Sequence, residues 1–210
     1  VVVLDDLSTG SLDNLASLAA NPRFRFVHGS VLDRDVVDQL VAATDIVIHL
    51  AAAVGVRKIL SDPVGSIAVN VDGTQIILNA SLRHGRKTLI ASTSEIYGKN
   101  DSGALCESAD SILGPATASR WSYATAKKLD EFLALGYFHQ AGLPVIVTRF
   151  FNIVGPRQTG RYGMVLPNFV RAAMSGTPIR VFGDGEQTRN FTTIWDCVDA
   201  LVKLIFEPST

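Results

Sequence analysis

Asp45-Ile-Val-Ile-His-Leu-Ala-Ala-Ala53 is a short β-branched apolar run closing on small residues. It is followed by a helical pattern over Asp62–His84 and a second apolar run, Thr88-Leu-Ile-Ala91. A buried strand, a long helix and another buried strand form a βαβ unit, which demands a parallel pair. The same alternation extends both ways. Upstream, Val1–Leu4 reads as a strand, Leu12–Ala20 as a helix, Phe24–Val27 as a strand and Asp33–Ala42 as a helix. Downstream, Tyr123–Gln140 reads as a helix and Val145–Phe150 as a strand. In the long helix Ile67, Val71, Ile76, Ile77 and Leu78 suit burial against a sheet. The expected architecture is α/β, a doubly wound parallel sheet with helices on both faces.

Beyond Gly155 the pattern breaks into shorter pieces, punctuated by Pro156, Pro167 and Pro178. Val165–Met174 is predicted as a helix, Ile179–Phe182 as a short strand and Trp195–Phe206 as a closing helix. We place a boundary after residue 151. Residues 1–151 form the sheet domain and 152–210 mostly a smaller substrate-facing region, leaving open whether the last helix returns to the first domain.

Composition narrows the function classes. Of 210 residues, 47% are hydrophobic and 19% charged, so a sizeable core is available. The net charge of −1 and the lack of a basic run disfavour nucleic acid or an anionic membrane as partner. No apolar run is long enough to span a bilayer, and no signal-peptide pattern is present. Cys106 and Cys197 lie far apart without metal-ligand spacing, which reads as two free thiols in a cytoplasmic protein with no metal site. His28, His49, His84 and His139 form no ligand motif and read as ordinary loop, strand-end and helix residues.

Doubly wound sheets bind ligands outside the carboxyl ends of their strands. The chemically notable residues fall there: Asp5, Leu50-Ala-Ala-Ala53, Ser92-Thr-Ser94 and Phe150-Phe-Asn152. Tyr123 and Lys127, four residues apart, share one face of a helix. A cation beside a phenol favours phenolate and lets tyrosine act as a base. Asp33 opens a helix and would serve as its N-cap.

In this order the motifs resemble the extended short-chain dehydrogenase/reductase family that modifies nucleotide-diphosphate sugars. The carriers are Val3-Leu-Asp-Asp-Leu-Ser-Thr-Gly10, His49-Leu-Ala-Ala52, Asn70-Val-Asp-Gly-Thr74, Ser92-Thr-Ser-Glu-Ile-Tyr-Gly98, Tyr123-x-x-x-Lys127, Arg149-Phe-Phe-Asn-Ile-Val-Gly-Pro156 and Phe182-Gly-Asp-Gly-x-x-x-Arg189. The resemblance implies a Rossmann-like domain and bound NAD. Asp5 would accept bonds from the adenosine ribose hydroxyls, and its charge would repel a 2′-phosphate. Asp6, Thr9 and Gly10 would border that pocket, and Asp33 would meet the adenine amino group. Leu50, Ala51 and Ala52 would lie along the cofactor, braced by Asn70, with Phe150 beside the nicotinamide. Tyr123 would be the catalytic base, Lys127 would hold the ribose and lower the phenol pKa, and Thr93 would bond the reacting sugar oxygen. Ser94, Asn152, Val165, Phe182 and Arg189 would contact the sugar nucleotide, Asn152 and Arg189 at its diphosphate and Val165 and Phe182 beside its base.

Glu95 is the diagnostic acid. Dehydratases of this family usually read Asp-Glu after the threonine, whereas here Ser94 replaces the Asp. Ser-Thr-Ser-Glu resembles the UDP-glucuronate decarboxylases and some 4-epimerase-like members. The expected function is a UDP-sugar 4-epimerase-type reaction through transient oxidation at C4. Decarboxylation of UDP-glucuronate is the alternative, and dTDP-glucose 4,6-dehydration or a non-catalytic nucleotide-binding regulator are more remote. Members commonly pair through two helices, here Asp62–His84 and Tyr123–Gln140, which implies a homodimer. The family's glycine-rich opening turn and first, central strand do not occur in these 210 residues. The resemblance therefore implies that this stretch alone folds poorly, binds cofactor weakly and is inactive.

Overall fold

The computed structural model describes residues 1–101, 103–160 and 163–207, apart from the side chains of 56–58. Parallel strands alternate with helices: β1 (Val2–Asp5), β2 (Arg25–His28), α1 (Arg34–Ala42), β3 (Ile46–His49), α2 (Val56–Ser61), α3 (Pro63–His84), β4 (Lys87–Thr93), α4 (Ser122–Ala141) and β5 (Val145–Phe150). After these come β6 (Asn152–Val154), α5 (Val165–Met174), β7 (Phe191–Thr193) and α6 (Ile194–Phe206). The expected βαβ unit is present, with Ile46 opposite Lys87 and His49 opposite Ile90 in a parallel register. Strand β5 adds to the other edge of β4, Thr88 opposite Val145 and Thr93 opposite Phe150. The fold is α/β and Rossmann-like.

The sheet is divided. Among the described residues β1 pairs only with β2, and the ladder β3-β4-β5 stands apart from it.

Local chemistry sets the two long helices. Asp62 caps α3 by accepting from the Gly65 N–H at 3.0 Å, with Pro63 in the first turn. Gly85 at φ 63° and Gly142 at φ 68° end α3 and α4 in the left-handed conformation that glycine adopts without penalty. The core lies on either side of α3. Ile76, Ile77 and Ala80 pack with Val37 and Val41 of α1, and Leu78 packs with Ala134 of α4, Ile90 of β4 and Leu143. Ile67 does not join them and is 43% exposed.

Three elements differ from the sequence reading. Leu12–Leu18 is 3₁₀ rather than α-helical, opened by Ser11 accepting from the Asp13 N–H. The short helix α2 sits directly before Asp62, in a stretch too brief for periodicity to reveal. Ile179–Phe182 is not a strand: no described neighbour offers it a ladder, and Ile179, Val181 and Phe182 stay exposed. The strand of this region is instead β7, paired in parallel with β6. Helix α6 touches the amino end of β4, where the Lys87 ammonium donates to the Ile205 carbonyl at 2.8 Å.

Candidate active site

Strand β4 ends on Thr93, which is buried. Its Oγ1 caps the following 3₁₀ turn, Ser94–Tyr97, by accepting from the Glu95 N–H at 3.2 Å. The same hydroxyl stands near the Tyr123 phenol on the first turn of α4 and favours its ionised form. The structure thus brings Thr93, Glu95 and Tyr123 together from a strand end and a helix start. One turn along α4, Lys127 is 1% exposed, and its ammonium lies 3.2 Å from Asp130 Oδ2.

The electrostatics depart from the sequence reading. Tyr123 is pushed up to about 12, first by burial and then by the negative charges of Glu95 and Asp130. The opposing pull comes from the Thr93 hydroxyl. The expected lowering of the phenol by Lys127 is therefore corrected, because the ammonium is paired with Asp130. Much of the Glu95 side chain meets solvent, yet the surrounding protein still raises its carboxyl above the ordinary range, against the pull of Arg120 and Arg189. Arg189 is thereby placed toward the same site from the loop before β7.

Two further networks were not foreseen. His49 Nε2 lies 3.1 Å from Thr74 Oγ1, and Thr74 stands near Asp130, so the Lys127 pair borders buried polar groups of α3 and β3. His49, dismissed from sequence as an ordinary strand-end residue, is buried and held neutral down to about 3, by desolvation and then by Lys127. Behind Ser92, Glu131 accepts from the Ser92 hydroxyl at 2.5 Å and binds Arg149 through two bonds of 3.0 and 2.8 Å. Arg149 also donates to the Tyr97 hydroxyl at 3.0 Å, joining β5, α4, β4 and the 3₁₀ turn. The signal available in sequence was the pair Asp130-Glu131, three and four residues past Lys127 on one helix.

At the carboxyl end of β1, the Asp5 carboxylate accepts from the Leu7 N–H at 2.7 Å. A Cβ at Gly10 would lie 3.4 Å from Asp5 Oδ1, so the glycine leaves that carboxylate uncovered. Asp6 accepts from the Ser8 N–H at 2.9 Å, and the Ser8 contact holds its carboxyl below the usual range. Thr9 borders the same turn. Asp33 caps α1 through the Val36 N–H at 3.2 Å. Past β3, Leu50 is exposed, Ala51 and Ala52 are half-buried, and Asn70 clasps the next residue. Its Oδ1 accepts from the Ala53 N–H at 2.8 Å while its Nδ2 donates to the Ala53 carbonyl at 3.2 Å. Phe150 stands opposite Thr93 in the ladder.

The substrate candidates are less converged. Asn152 donates to the Asn190 carbonyl at 2.9 Å, which sets it one residue from Arg189. Ser94 is half-buried beside Thr93, whereas Val165 on α5 is 42% and Phe182 84% exposed. Among the described residues no cluster of three His, Cys, Asp or Glu could hold a metal, and no helix is long and apolar enough to cross a membrane.

A model of the NAD dependent epimerase/dehydratase family matches residues 1–210. The chain belongs to that family. Its relatives divide by reaction. The chain is 41% identical over 208 residues to a UDP-N-acetyl-alpha-D-glucosaminuronate decarboxylase of Bacillus cytotoxicus, covering 99% of this chain and 64% of the relative. It is 38% identical to a dTDP-glucose 4,6-dehydratase of Actinoplanes, covering 93% of this chain and 59% of that protein. The structure of UDP-glucuronic acid 4-epimerase from Bacillus cereus, solved with UDP-glucuronic acid and NAD, superposes with TM-score 0.89 at 30% identity, over 99% of this chain and 65% of that one. The chain thus spans less than two thirds of these relatives. The family is one of NAD-dependent enzymes acting on nucleotide sugars. The residues present fit such a cofactor at both ends: an uncovered strand-end carboxylate, Asp5, for a ribose diol, and Thr93, Tyr123 and Lys127 for the reacting end.

Proposed function

We propose that this protein oxidises a UDP-hexuronate transiently at C4 and releases CO₂ from C6. The observation that carries the reading is the placement of Tyr123, on the first turn of α4, near Thr93 and Glu95 at the end of β4. A carboxyl raised by burial is shifted toward the acid form that can donate a proton. The decarboxylase relative and the solved 4-epimerase are both named for uronic-acid nucleotides, which supports a substrate bearing a C6 carboxylate. This reverses the order expected from sequence, where epimerisation led.

Bound NAD supplies a hydride acceptor at the nicotinamide and a positive ring charge that favours phenolate. The chain's residues do the rest. Tyr123 takes the C4 hydroxyl proton as the hydride leaves C4, while Thr93 holds the oxygen of the 4-keto sugar. The C5–C6 bond of this β-keto acid breaks, its electron pair passing to the C4 oxygen as an enolate, and CO₂ departs. Glu95 gives a proton to C5 and regains one from solvent before the next cycle. Hydride then returns to C4, and Tyr123 gives its proton back to the oxygen. Lys127 and Asp5 would hold the two ribose units, with Asp6, Thr9, Gly10, Asp33, Leu50, Ala51, Ala52 and Phe150 around the cofactor. Arg189, as a planar donor fork, and Asn152 would meet the diphosphate, with Ser94, Val165 and Phe182 along the remainder.

Epimerisation at C4 is the second reading, favoured by the superposition on the epimerase. Incubating the protein with NAD and, in turn, UDP-glucuronate and UDP-N-acetylglucosaminuronate separates the two. CO₂ release supports decarboxylation. A C4-inverted product that keeps its carboxylate moves the assignment to epimerase. A 6-deoxy-4-keto product from dTDP-glucose overturns both.

We also propose a homodimer through α3 and α4. Leu129, Phe132, Leu135 and Phe138 form an exposed apolar ridge on α4, and Val64 and Ile67 are exposed on α3, which packs against α4.

A further inference from the structure

The Lys127 ammonium is committed to a buried partner that the reaction does not consume. His49 on β3, Thr74 on α3, and Asp130 and Lys127 on α4 form a buried polar cluster, each at most 3% exposed. His49 Nε2 lies 3.1 Å from Thr74 Oγ1, Asp130 Oδ2 lies 3.2 Å from Lys127 Nζ, and Thr74 stands close enough to Asp130 to help hold its carboxylate ionised. Asp130 Oδ1 remains a buried acceptor with no partner, which leaves the carboxylate's charge to act on its neighbours.

We propose that Asp130 is a positioning residue: it anchors the Lys127 ammonium inside this buried cluster and so governs the ionisation of the Tyr123 phenol. A counter-ion beside Lys127 cancels much of the positive field that would otherwise reach the phenol one turn away. Asp130 also acts directly, since its negative charge is among the groups that disfavour phenolate at Tyr123. The groups facing Asp130 are Lys127, Glu131 and Tyr123 on α4, Thr74 on α3 and His49 on β3. Arg149 of β5 neutralises Glu131 from its far side, and Glu95 faces Tyr123. Of these negative groups only Asp130 touches the lysine. Burial raises its carboxyl to about 6, against the pull of Lys127.

The inference rests on Tyr123 being the base of the proposed reaction, but its test needs neither sugar nor cofactor, so the two fail separately. Phenolate absorbance of the purified protein is titrated across the alkaline range in which far-UV circular dichroism stays native. The same titration of Tyr123→Phe in each background isolates Tyr123. Asp130→Asn should bring the Tyr123 phenolate in about one pH unit below the unsubstituted protein. Asp130→Ser, a smaller neutral replacement, should do the same, and Asp130→Glu, which keeps the charge, should restore the high value. A purely structural tie would alter stability and leave the phenol where it was. Phenolate appearing in the Asn and Ser variants at or above the original pH, or not at all within the native range, overturns the proposal.

Discussion

Burial raises both Glu95 and Tyr123, and the Glu95 charge adds to what disfavours phenolate at Tyr123. In the proposed cycle Glu95 is the proton donor and Tyr123 the base. Glu95→Gln removes the acid without changing shape. It should cut CO₂ release by about 10²–10³-fold while NADH absorbance on mixing with UDP-glucuronate persists, because oxidation at C4 depends on Tyr123. Unchanged CO₂ release would remove Glu95 from the mechanism. Tyr123→Phe should abolish both signals. His49 makes a separate, thermodynamic prediction. Folded, it stays neutral down to about 3; unfolded, it takes a proton near 6.5. Below 6.5 the unfolded chain alone gains that proton, so stability falls as the pH drops, by up to about 1.4 kcal/mol per pH unit. Asp130 acts in the opposite sense from about 6 down to 3.8, where the folded chain binds the proton first. His49→Gln should therefore flatten or reverse the acid-side fall in urea midpoint. A variant with the original slope would mean that His49 is not buried neutral.

At the scale of elements, the site is held by side chains that tie loops to helices. Asn70 supplies both partners of the Ala53 backbone from within α3. Asn70→Leu would leave a buried N–H and carbonyl unpaired and should cost about 2–4 kcal/mol in urea unfolding. It should also raise the KM for NAD, if the Leu50–Ala52 loop lines the cofactor. A loss below 0.5 kcal/mol would show that water replaces the amide at no cost. Such ties explain what could be read from sequence and what could not. Strands β3, β4 and β5 and helices α3 and α4 were legible because their apolar runs are long and their ends carry Asp62-Pro63, Gly85 and Gly142. Ile179–Phe182 misled because an apolar alternation states what a segment could pair with, not whether a partner strand lies beside it. Among the candidate residues, Thr93 and Tyr123 were legible from their strand-end and helix-start placement. The partners Asp130, Thr74, His49, Glu131 and Arg149 were not, since they meet across β3, α3, α4 and β5 at separations that no local spacing encodes.

For the whole molecule, the α3–α4 pair packs into the core on one side and, in the proposed dimer, against a second copy on the other. Its inner side packs Leu78, Ala134 and Ile90 and carries the Lys127–Asp130 pair. Its outer side leaves Phe132 at 64% and Val64 at 78% exposed, with Leu129, Leu135 and Phe138 near half. Leu129, Phe132, Leu135 and Phe138 recur every third residue, so they form an oblique ridge that turns by about 60° at each step along α4. Scattered apolar residues are normal on a surface, whereas a contiguous patch marks an interaction face. A second copy related by a two-fold axis would bring the same two helices against their equivalents and bury the ridge on both, the self-complementary geometry such dimers require. Because Lys127 and Asp130 lie on the inner side of the same helix, charges added outside should disrupt assembly without touching the phenol directly. Phe132→Asp with Leu135→Glu should convert a dimer to a monomer in sedimentation velocity, while the Tyr123 phenolate still titrates as in the parent. An unsubstituted protein that sediments as a monomer at tens of micromolar would reject this face as the dimer interface. A double variant that stays dimeric would place the interface elsewhere.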